Sequence, residues 1–332
     1  MGRVFSAIQP TGAKHLGNYL GAIRGWVAAQ EQDECIFCIA DLHALTASPD
    51  PDALRSDTRS VAALLLACGI DPARCTLFVQ SHVPAHTELA WLLATLTGVG
   101  ELRRMTQFKA KAAEEAASAG LLTYPVLQAA DILLYRAERV PVGEDQRQHL
   151  ELARDLAARF GRRYGPLFPL PQAALAERGA RVMDLQRPTR KMSTSGGSTA
   201  GTLFLLDPPD VLRRKVAAAV TDAGREIRAA EDKPGVSNLL AILAAARGEP
   251  VAALEARLQG QGYAALKGEV AEAVVALTEP IRARHRQLAA AHFREVDATL
   301  AEGAQRARSV AGDTLTKAKA AVGLLPLGAR RL

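Results

Sequence analysis

The chain has 332 residues, of which 48% are hydrophobic and 23% charged, and its formal net charge is +6. This composition is typical of a globular protein and excludes a disordered chain, a collagen and a coiled-coil rod. The length predicts two domains. Without an apolar run of 18 residues we expect no membrane span, and without a signal-peptide core before Pro10 and Gly12 we expect a cytoplasmic protein.

The first half of the chain alternates predicted strands and helices. Strands are predicted at residues 3–8, 35–40 and 76–80, and a further strand ends at 140–142. Helices are predicted at residues 18–30, 52–68, 85–97 and 146–160. This alternation indicates an α/β fold with a Rossmann-type parallel sheet that is covered by helices on both faces.

Four cysteines raise the question of a metal site or a disulfide. Cys35 and Cys38 form a C-x-x-C pattern inside an apolar predicted strand. Residues three apart on a strand point to opposite faces, so these two thiols cannot share a metal. Cys68 and Cys75 form no such pair, and we predict buried thiols with neither a metal nor a disulfide.

Beyond residue 213 the sequence predicts only helices. They are expected at residues 211–220, 236–246, 250–259, 262–277 and 279–304. A Gly/Ser/Thr/Pro-rich stretch at 187–209 marks the boundary between the two halves. The predicted organisation is a Rossmann-type catalytic domain at 1–190 with an insertion at about 103–135, a mobile loop and linker at 191–209, a helical domain at 210–295, and basic C-terminal helices at 296–332.

The net charge is concentrated at the end of the chain. From Ile281 onward there are ten lysines and arginines against four acidic residues, so this segment carries the whole +6 and the preceding part is neutral. A basic end on a neutral body favours a polyanion partner such as a nucleic acid. The alternative is that the basic side chains only solvate helix faces.

Two loops carry the residue types of a nucleotide site. Residues 9–18 follow the first strand and open a helix, whose free N–H groups suit a phosphate, and His15 or Asn18 can donate to phosphate oxygens. The dinucleotide pattern GxGxxG and the P-loop pattern are both absent from this loop. Residues 190–198 form a Gly/Ser-rich loop with Lys191, which can neutralise a departing pyrophosphate. Taken singly, the first loop could be a tight turn and the second a linker.

Taken together, the HLGN loop at 15–18 and the KMSTS loop at 191–195 resemble the paired signatures of class I aminoacyl-tRNA synthetases. Further segments resemble bacterial tryptophanyl-tRNA synthetases: FSAIQPTG at 5–12, GNYLGA at 17–22, RMTQFK at 104–109, GLLTYP at 120–125, ADILLY at 130–135, VPVGEDQ at 140–146, AVTD at 219–222 and KPGVSNLL at 233–240. The resemblance implies ATP with Mg²⁺, L-tryptophan and tRNA(Trp) as ligands. It also implies a tryptophanyl-adenylate intermediate, a homodimer, and anticodon contacts in the helical domain.

The resemblance also implies roles for single residues in binding the amino acid. Asp131 matches the carboxylate that accepts the indole N–H, and Tyr124 and Gln146 match the residues that hold the amino group. The pocket wall is matched by Phe5, His43, Val140 and Val142. Structural alternatives are a helix cap or ion pair for Asp131, a core histidine for His43 and strand packing for the valines.

A second set of residues matches the nucleotide site of the family. Positions that line ATP and its ribose are matched by Gln9, Gly17, Asn18, Gly143, Asp145 and Gln146. Lys111 and Lys191 match lysines that reach the phosphates, and Met192 and Ser193 belong to the second loop. Gln9, Asn18 and the two lysines are the predicted catalytic residues. Lys111 could instead be a solvated helix charge, and no carboxylate cluster predicts a dedicated metal site.

Three features depart from the family pattern. Thr194 stands where the second loop usually carries another lysine, with Gly196 and Gly197 after it, and we hypothesise that Arg190 compensates. Gln128 stands where a methionine is common, and Ala7 replaces a glycine. Two alternatives therefore remain: a tyrosine-specific relative, and a non-catalytic paralogue that binds tRNA or a protein.

Overall fold

The computed structural model describes residues 2–106, 108–109, 118–143, 146–174, 181–193 and 198–326. Its centre is one parallel sheet with the strand order β3-β2-β1-β4-β5. The strands are β1 (Arg3–Ile8), β2 (Glu34–Ile39), β3 (Cys75–Val79), β4 (Arg139–Pro141) and β5 (Gln172–Ala174). The predicted Rossmann-type fold is confirmed, and the first three strands lie within one residue of their predicted positions.

Strand β5 was not predicted from the sequence. It consists of Gln-Ala-Ala and pairs with β4 at the sheet edge. None of its residues is β-branched or aromatic, so it has no local propensity for a strand. The pairing with β4 alone makes this segment extended.

Both faces of the sheet are buried, as a near-continuous apolar strand predicts. Cys35 and Phe37 of β2 pack in one core and Cys38 in the other, so the two thiols of the C-x-x-C pattern do lie on opposite faces. The Phe37 ring stacks on Trp26 with centroids 5.1 Å apart. On the opposite face, Phe78 packs against Tyr135.

Eight helices accompany the sheet in the part of the first half that the structure describes. They are α1 (Leu16–Asn18), α2 (Arg24–Ala29), α3 (Asp41–Ala44), α4 (Pro51–Ala67), α5 (Ala85–Ala94), α6 (Val99–Arg103), α7 (Ala119–Leu134) and α8 (Arg147–Tyr164). The single helix predicted at 18–30 is instead α1 and α2, joined by a π-helical turn at Tyr19–Ile23. Such turns insert one residue per turn and are frequent beside functional sites.

The second half is helical, as predicted, but one boundary was predicted wrongly. Its helices are α9 (Pro209–Ala217), α10 (Pro234–Arg247), α11 (Val251–Arg257), α12 (Tyr263–Ala290) and α13 (Arg294–Ala321). The predicted break at residue 278 does not exist. The break falls at His292 and Phe293, which both adopt the left-handed conformation, with φ of 52° and 56°.

Helix α12 continues through Pro280, although a proline inside a helix costs about 3 kcal/mol. The buried Arg282 guanidinium donates to the hydroxyl of Thr278 at 2.5 Å and to the carbonyl of Val275 at 3.4 Å. These contacts hold the Arg282 side chain along the turn that contains Pro280. The sequence pattern predicts a helix break at residue 278 instead.

Helix α13 returns to the sheet and covers its β3 edge. A Cβ atom added to Gly303 would lie 1.8 Å from the carbonyl oxygen of Leu77 in β3, so the helix passes directly against the strand backbone. Arg306 donates to the carbonyls of Pro72 and Cys75, and Arg308 to that of His82. These exposed arginines therefore also fasten the helix to the edge of the sheet.

No helix within the described ranges is long and apolar enough to cross a membrane.

The contact between α13 and β3 leads to a stability prediction. We expect Gly303→Ala to lower the free energy of unfolding by about 3 kcal/mol, the upper part of the range for overpacking, because the added methyl group meets a backbone carbonyl. Gly312→Ala is the matched control on the same helix, where an added Cβ has no neighbour within 4 Å. It should raise the stability by about 0.8 kcal/mol through helix propensity. Urea unfolding measures both, and equal effects would contradict the close contact.

Candidate active site

A cavity of about 490 Å³ opens at the carboxyl ends of β1 and β4. This volume lies within the range of small-molecule sites, and the carboxyl ends of parallel strands are where open α/β sheets bind their ligands. All seven residues predicted to bind the amino acid line it: Phe5, His43, Tyr124, Asp131, Val140, Val142 and Gln146. Gln9 and Gly143, predicted for the nucleotide, also line this cavity.

Helix α7 supplies the polar face of the cavity. Tyr124, Gln128 and Asp131 are spaced i, i+4 and i+7, so they lie on one side of the helix. All three line the cavity. The departure at position 128 thus places a carboxamide, where a methionine is common, on the cavity wall.

Asp131 is a buried carboxylate with three donor side chains around it. Only 1% of the residue is exposed. His43 Nε2 lies 2.8 Å from Oδ2, and His86 Nδ1 lies 2.6 Å from Oδ1. The Gln80 amide nitrogen donates to both oxygens, at 2.8 and 3.0 Å. Asp131 therefore has hydrogen-bond donors on both carboxylate oxygens.

These contacts decide the ionisation state of the carboxylate. Burial by itself would raise the pKa of Asp131, but the imidazoles of His43 and His86 bring it well below its usual value. Asp131 is consequently ionised at neutral pH. An ionised carboxylate at a cavity wall accepts hydrogen bonds and donates none.

Sequence reasoning missed the residues that hold Asp131 in place. Gln80 follows the carboxyl end of β3, and His86 lies in the first turn of α5. His86 also contacts the hydroxyl of the fully buried Tyr135, at 2.8 Å. The signal in the sequence was the group of polar residues directly after a buried strand, QSHVPAH at 80–86.

The other polar end of the cavity lies between α7 and the start of α8. The Tyr124 hydroxyl is 2.9 Å from His149 Nε2, and burial raises the pKa of Tyr124 to about 12. Gln128 donates from its amide nitrogen to Gln146 Oε1 at 3.2 Å. A neutral phenol and two carboxamides thus face the same part of the cavity.

The loop after β1 lies beside the cavity and forms a second cluster of polar residues. Its Gly17 and Asn18 do not line the cavity. His15 is 6% exposed, and its Nδ1 atom is buried without a hydrogen-bond partner among the described residues. A Cβ on Gly17 would lie 3.0 Å from this ring. Asn18 Oδ1 accepts from the His15 backbone N–H at 2.9 Å.

Charges around the loop keep His15 neutral. Burial and the positive charges of Lys14 and Lys191 lower the pKa of His15 to about 4. The Lys14 ammonium donates to the carbonyls of Gln9 and Thr11, at 2.9 and 2.7 Å, and burial lowers the pKa of Lys14 to about 8. Lys14 thereby fixes the turn that carries Gln9.

The second loop is described only at its two ends. Lys191 forms an isolated β-bridge with Met183, and the buried Met192 donates its N–H to Val182. The Thr202 hydroxyl contacts the carbonyl of Ser193 at 3.4 Å. Lys191, Met192 and Ser193 do not line the cavity. Lys111, Asp145, Thr194, Gly196 and Gly197 lie outside the described residues.

Comparisons with known proteins agree with this geometry. Residues 2–279 match the family model of class I tRNA synthetases for tryptophan and tyrosine. A tryptophan–tRNA ligase of Streptomyces avermitilis is 52% identical over 98% of this chain and 97% of its own length. A tryptophanyl-tRNA synthetase structure from Mycoplasma pneumoniae superposes with a TM-score of 0.89 at 40% identity, covering 98% of each chain. One from Campylobacter jejuni, complexed with ADP and tryptophan, has a TM-score of 0.83 at 34% identity, covering 97% of this chain and all of that one.

The burial of Asp131 leads to a prediction about stability and pH. We expect Asp131→Asn to lower the free energy of unfolding at pH 7 by about 3 kcal/mol, because an amide N–H₂ replaces an acceptor that three donors face. The lowered pKa of Asp131 means that its contribution is present above the usual value of 3.8 and is lost as the pH falls below it. The difference between the two proteins should therefore shrink in acid.

The control for this variant is Asp313→Asn, whose carboxylate forms an exposed pair with Lys317. Its effect should stay below about 0.5 kcal/mol. Urea unfolding between pH 3 and pH 8 measures both variants. A pH-independent loss in Asp131→Asn would contradict an ionised, donor-bound carboxylate.

Proposed function

The chain belongs to the family of class I tRNA synthetases for tryptophan and tyrosine. We propose that its cavity is the active site of a tryptophan–tRNA ligase. The protein activates L-tryptophan with ATP to tryptophanyl-adenylate and pyrophosphate, and then transfers the tryptophanyl group to tRNA(Trp). The observation that carries the choice of amino acid is the buried Asp131 carboxylate on the wall of a cavity whose other sides are largely apolar.

Asp131 accepts the indole N–H of tryptophan in this proposal. Phe5, Val140 and Val142 supply apolar wall around the ring, and His43 orients the carboxylate from its other side. A phenylalanine ring has no N–H and would leave the buried carboxylate one donor short. A site built to bond a polar group of its substrate rejects the analogue without that group by about 10⁴–10⁵.

The amino group of the substrate lies at the other polar end of the cavity. Tyr124 and Gln146 face this end, and both can accept from an ammonium group. Gln128 donates to Gln146 Oε1 and so fixes the orientation of that carboxamide. The two polar ends thus set the direction in which tryptophan lies in the cavity.

The nucleotide occupies the loop after β1. Gln9 and Gly143 line the cavity next to the place of the substrate carboxylate, and Gly17 and Asn18 open helix α1. Within the described residues the buried His15 Nδ1 atom has no hydrogen-bond partner, and Gly17 leaves space beside the ring. A small movement of this ring on binding would bring Nδ1 to a phosphate oxygen. By sequence match, Asp145 belongs to the ribose site and Lys111 to the phosphates.

The first chemical step requires that the tryptophan carboxylate be positioned at the α-phosphorus and that the charge of the departing pyrophosphate be stabilised. A tryptophan carboxylate oxygen forms the new bond to the α-phosphorus, and the bond from that phosphorus to the pyrophosphate oxygen breaks. The lysines Lys111 and Lys191 neutralise the departing pyrophosphate, with Met192 and Ser193 closing the loop above it. This preorganised charge removes the need for a general base.

Mg²⁺ enters this scheme together with ATP. In the described ranges no three His, Cys, Asp or Glu side chains form a metal-binding group. Magnesium in nucleotide sites commonly keeps phosphate and water oxygens as most of its ligands. We therefore assign the ion to the phosphate oxygens of ATP.

Each part of the chain is assigned a role in this proposal. The proposed catalytic domain is 1–190, the mobile loop and linker 191–209, the anticodon-binding domain 210–295, and the basic C-terminal segment 296–332. A cytoplasmic location is proposed, because bacterial tRNA is charged where it is used in translation. A homodimer is supported by large apolar side chains left at the surface: Trp91 on α5 is 72% exposed and Val99 on α6 is 56% exposed.

Amino-acid-dependent ATP–pyrophosphate exchange tests the proposed activity directly. At saturating Mg-ATP we expect exchange with tryptophan, and a kcat/KM for phenylalanine lower by about 10⁴ or more, because it cannot donate to Asp131. Exchange with tryptophan would also show that Thr194 is tolerated in the second loop. Exchange with tyrosine in its place would indicate the tyrosine-specific relative, and none with folded protein would indicate a binding paralogue.

The dimer is tested by changing the exposed tryptophan. We expect the wild-type chain to run at twice its chain mass in size-exclusion chromatography with light scattering, and Trp91→Glu to run as a monomer, because a charge replaces a large apolar contact. Leu170→Glu is the control, since Leu170 is 50% exposed and precedes β5 at the opposite edge of the sheet. A monomeric wild type, or a Trp91→Glu dimer, would refute this interface.

A further inference from the structure

We infer that Tyr135 and His86 are positioning residues that orient Asp131 for the indole N–H. In this arrangement the Tyr135 hydroxyl donates to His86 Nε2, and His86 Nδ1–H donates to Asp131 Oδ1. The inference rests on the proposed function and assigns amino-acid selectivity to two side chains that do not touch the substrate. Neither residue lines the cavity.

The direction of each hydrogen bond follows from the donors and acceptors that are present. Tyr135 is fully buried, and burial raises the pKa of its phenol far above the usual value, so the hydroxyl keeps its proton. Within the part of the chain that the structure describes, His86 Nε2 is the acceptor within reach of that hydroxyl. A buried hydroxyl that finds no acceptor is strongly unfavourable. Tyr135 therefore donates, and His86 Nε2 carries a lone pair.

This bond fixes the tautomer of His86. A neutral imidazole with an acceptor at Nε2 carries its proton on Nδ1. Nδ1 lies 2.6 Å from Asp131 Oδ1, where a proton is needed between the nitrogen and the carboxylate. The tyrosine hydroxyl thus ensures that His86 meets the carboxylate as a donor.

The orientation of Gln80 is fixed in the same way. Its Oε1 atom accepts the backbone N–H of Leu42 at 3.2 Å, so its amide nitrogen must face Asp131. The two carboxylate oxygens lie at 2.8 and 3.0 Å from this nitrogen and share one N–H between them. The carboxylate cannot rotate, because His86, held by Tyr135, bonds it on one side and Gln80 bonds it on the other.

The count of lone pairs shows what is left for the substrate. A carboxylate offers about four acceptor positions. His43 takes one position on Oδ2 and His86 one on Oδ1, and the shared N–H of Gln80 lies between the two oxygens as a three-centre bond. A shared N–H is poorly aligned with each oxygen, and hydrogen bonds weaken as their angle departs from linear. The indole N–H therefore competes only with this shared contact for a carboxylate that lines the cavity.

The test removes only the hydroxyl at the start of this chain. Tyr135→Phe keeps the ring, which stacks on Phe5 at 5.5 Å and packs on Phe78. Kinetic constants for pyrophosphate exchange are measured with tryptophan and with 3-benzothienylalanine, in which a sulfur atom replaces the indole N–H. We expect kcat/KM for tryptophan to fall about tenfold, mainly through KM, because a lost or misdirected hydrogen bond is worth about 1–1.5 kcal/mol.

The sulfur analogue makes this readout specific for orientation. Its kcat/KM should change little in Tyr135→Phe, so the preference for tryptophan over the analogue should fall about tenfold. Tyr164→Phe is the matched control, because Tyr164 packs on Phe160 at the end of α8, away from Asp131. That variant should keep the wild-type preference. Equal losses for both amino acids in Tyr135→Phe would overturn the inference in favour of a purely structural role.

A spectroscopic measurement tests the tautomer without any variant. Long-range ¹H–¹⁵N NMR of the wild-type protein distinguishes the ring nitrogens of its seven histidines. We expect Nδ1 of His86 to carry a proton and Nε2 to carry none, and a proton on Nε2 would overturn the inference. No exchange by the wild type with tryptophan would overturn the proposed function itself. Exchange by the wild type with an unchanged preference in Tyr135→Phe would overturn only the role of Tyr135.

Discussion

The burial of one negative charge constrains the whole site. Asp131 lies beneath the carboxyl edge of the sheet, where an unpaired carboxylate would cost several kcal/mol. Its three donors come from different elements: His43 from α3 after β2, Gln80 from the end of β3, and His86 from α5. The carboxylate is therefore stable only when two strands, two helices and α7 are all in place. The same requirement gives the substrate a fixed acceptor.

The two parts of the site differ in how many of their hydrogen-bonding groups already have partners within the protein. The amino-acid cavity is nearly complete, because its carboxylate already has three donors and its far end already pairs Gln128 with Gln146. The loop after β1, which we propose for the nucleotide, is less complete, because within the described residues the buried His15 Nδ1 has no hydrogen-bond partner. A neutral imidazole and positive charges at a helix start suit a polyphosphate. The proposed function thus assigns selectivity to the preformed cavity and charge neutralisation to the loops.

The last helix shows how the second half supports the first. Helix α13 covers the β3 edge through Gly303, while Arg306 and Arg308 bond to carbonyls near that edge. An uncovered strand edge is a site for unwanted pairing, so this contact both closes the sheet and anchors the helical part. From charge alone these arginines could belong either to a nucleic-acid surface or to solvated helix faces. Their hydrogen bonds to carbonyls near the sheet edge give them a structural role as well.

The sequence by itself determined the strands β1 to β3 and the helical second half through apolar periodicity. Its resemblance to a known family, carried by local motifs, indicated part of the cavity lining, such as Phe5, Tyr124 and Asp131. Only the tertiary structure decided two other features, strand β5 and the donors of Asp131. Both depend on partners far away in sequence, since β5 needs β4, and Tyr135 reaches Asp131 only through His86, 49 residues from the tyrosine. Local pattern selects an element, whereas long-range pairing and the satisfaction of buried polar groups decide its partners.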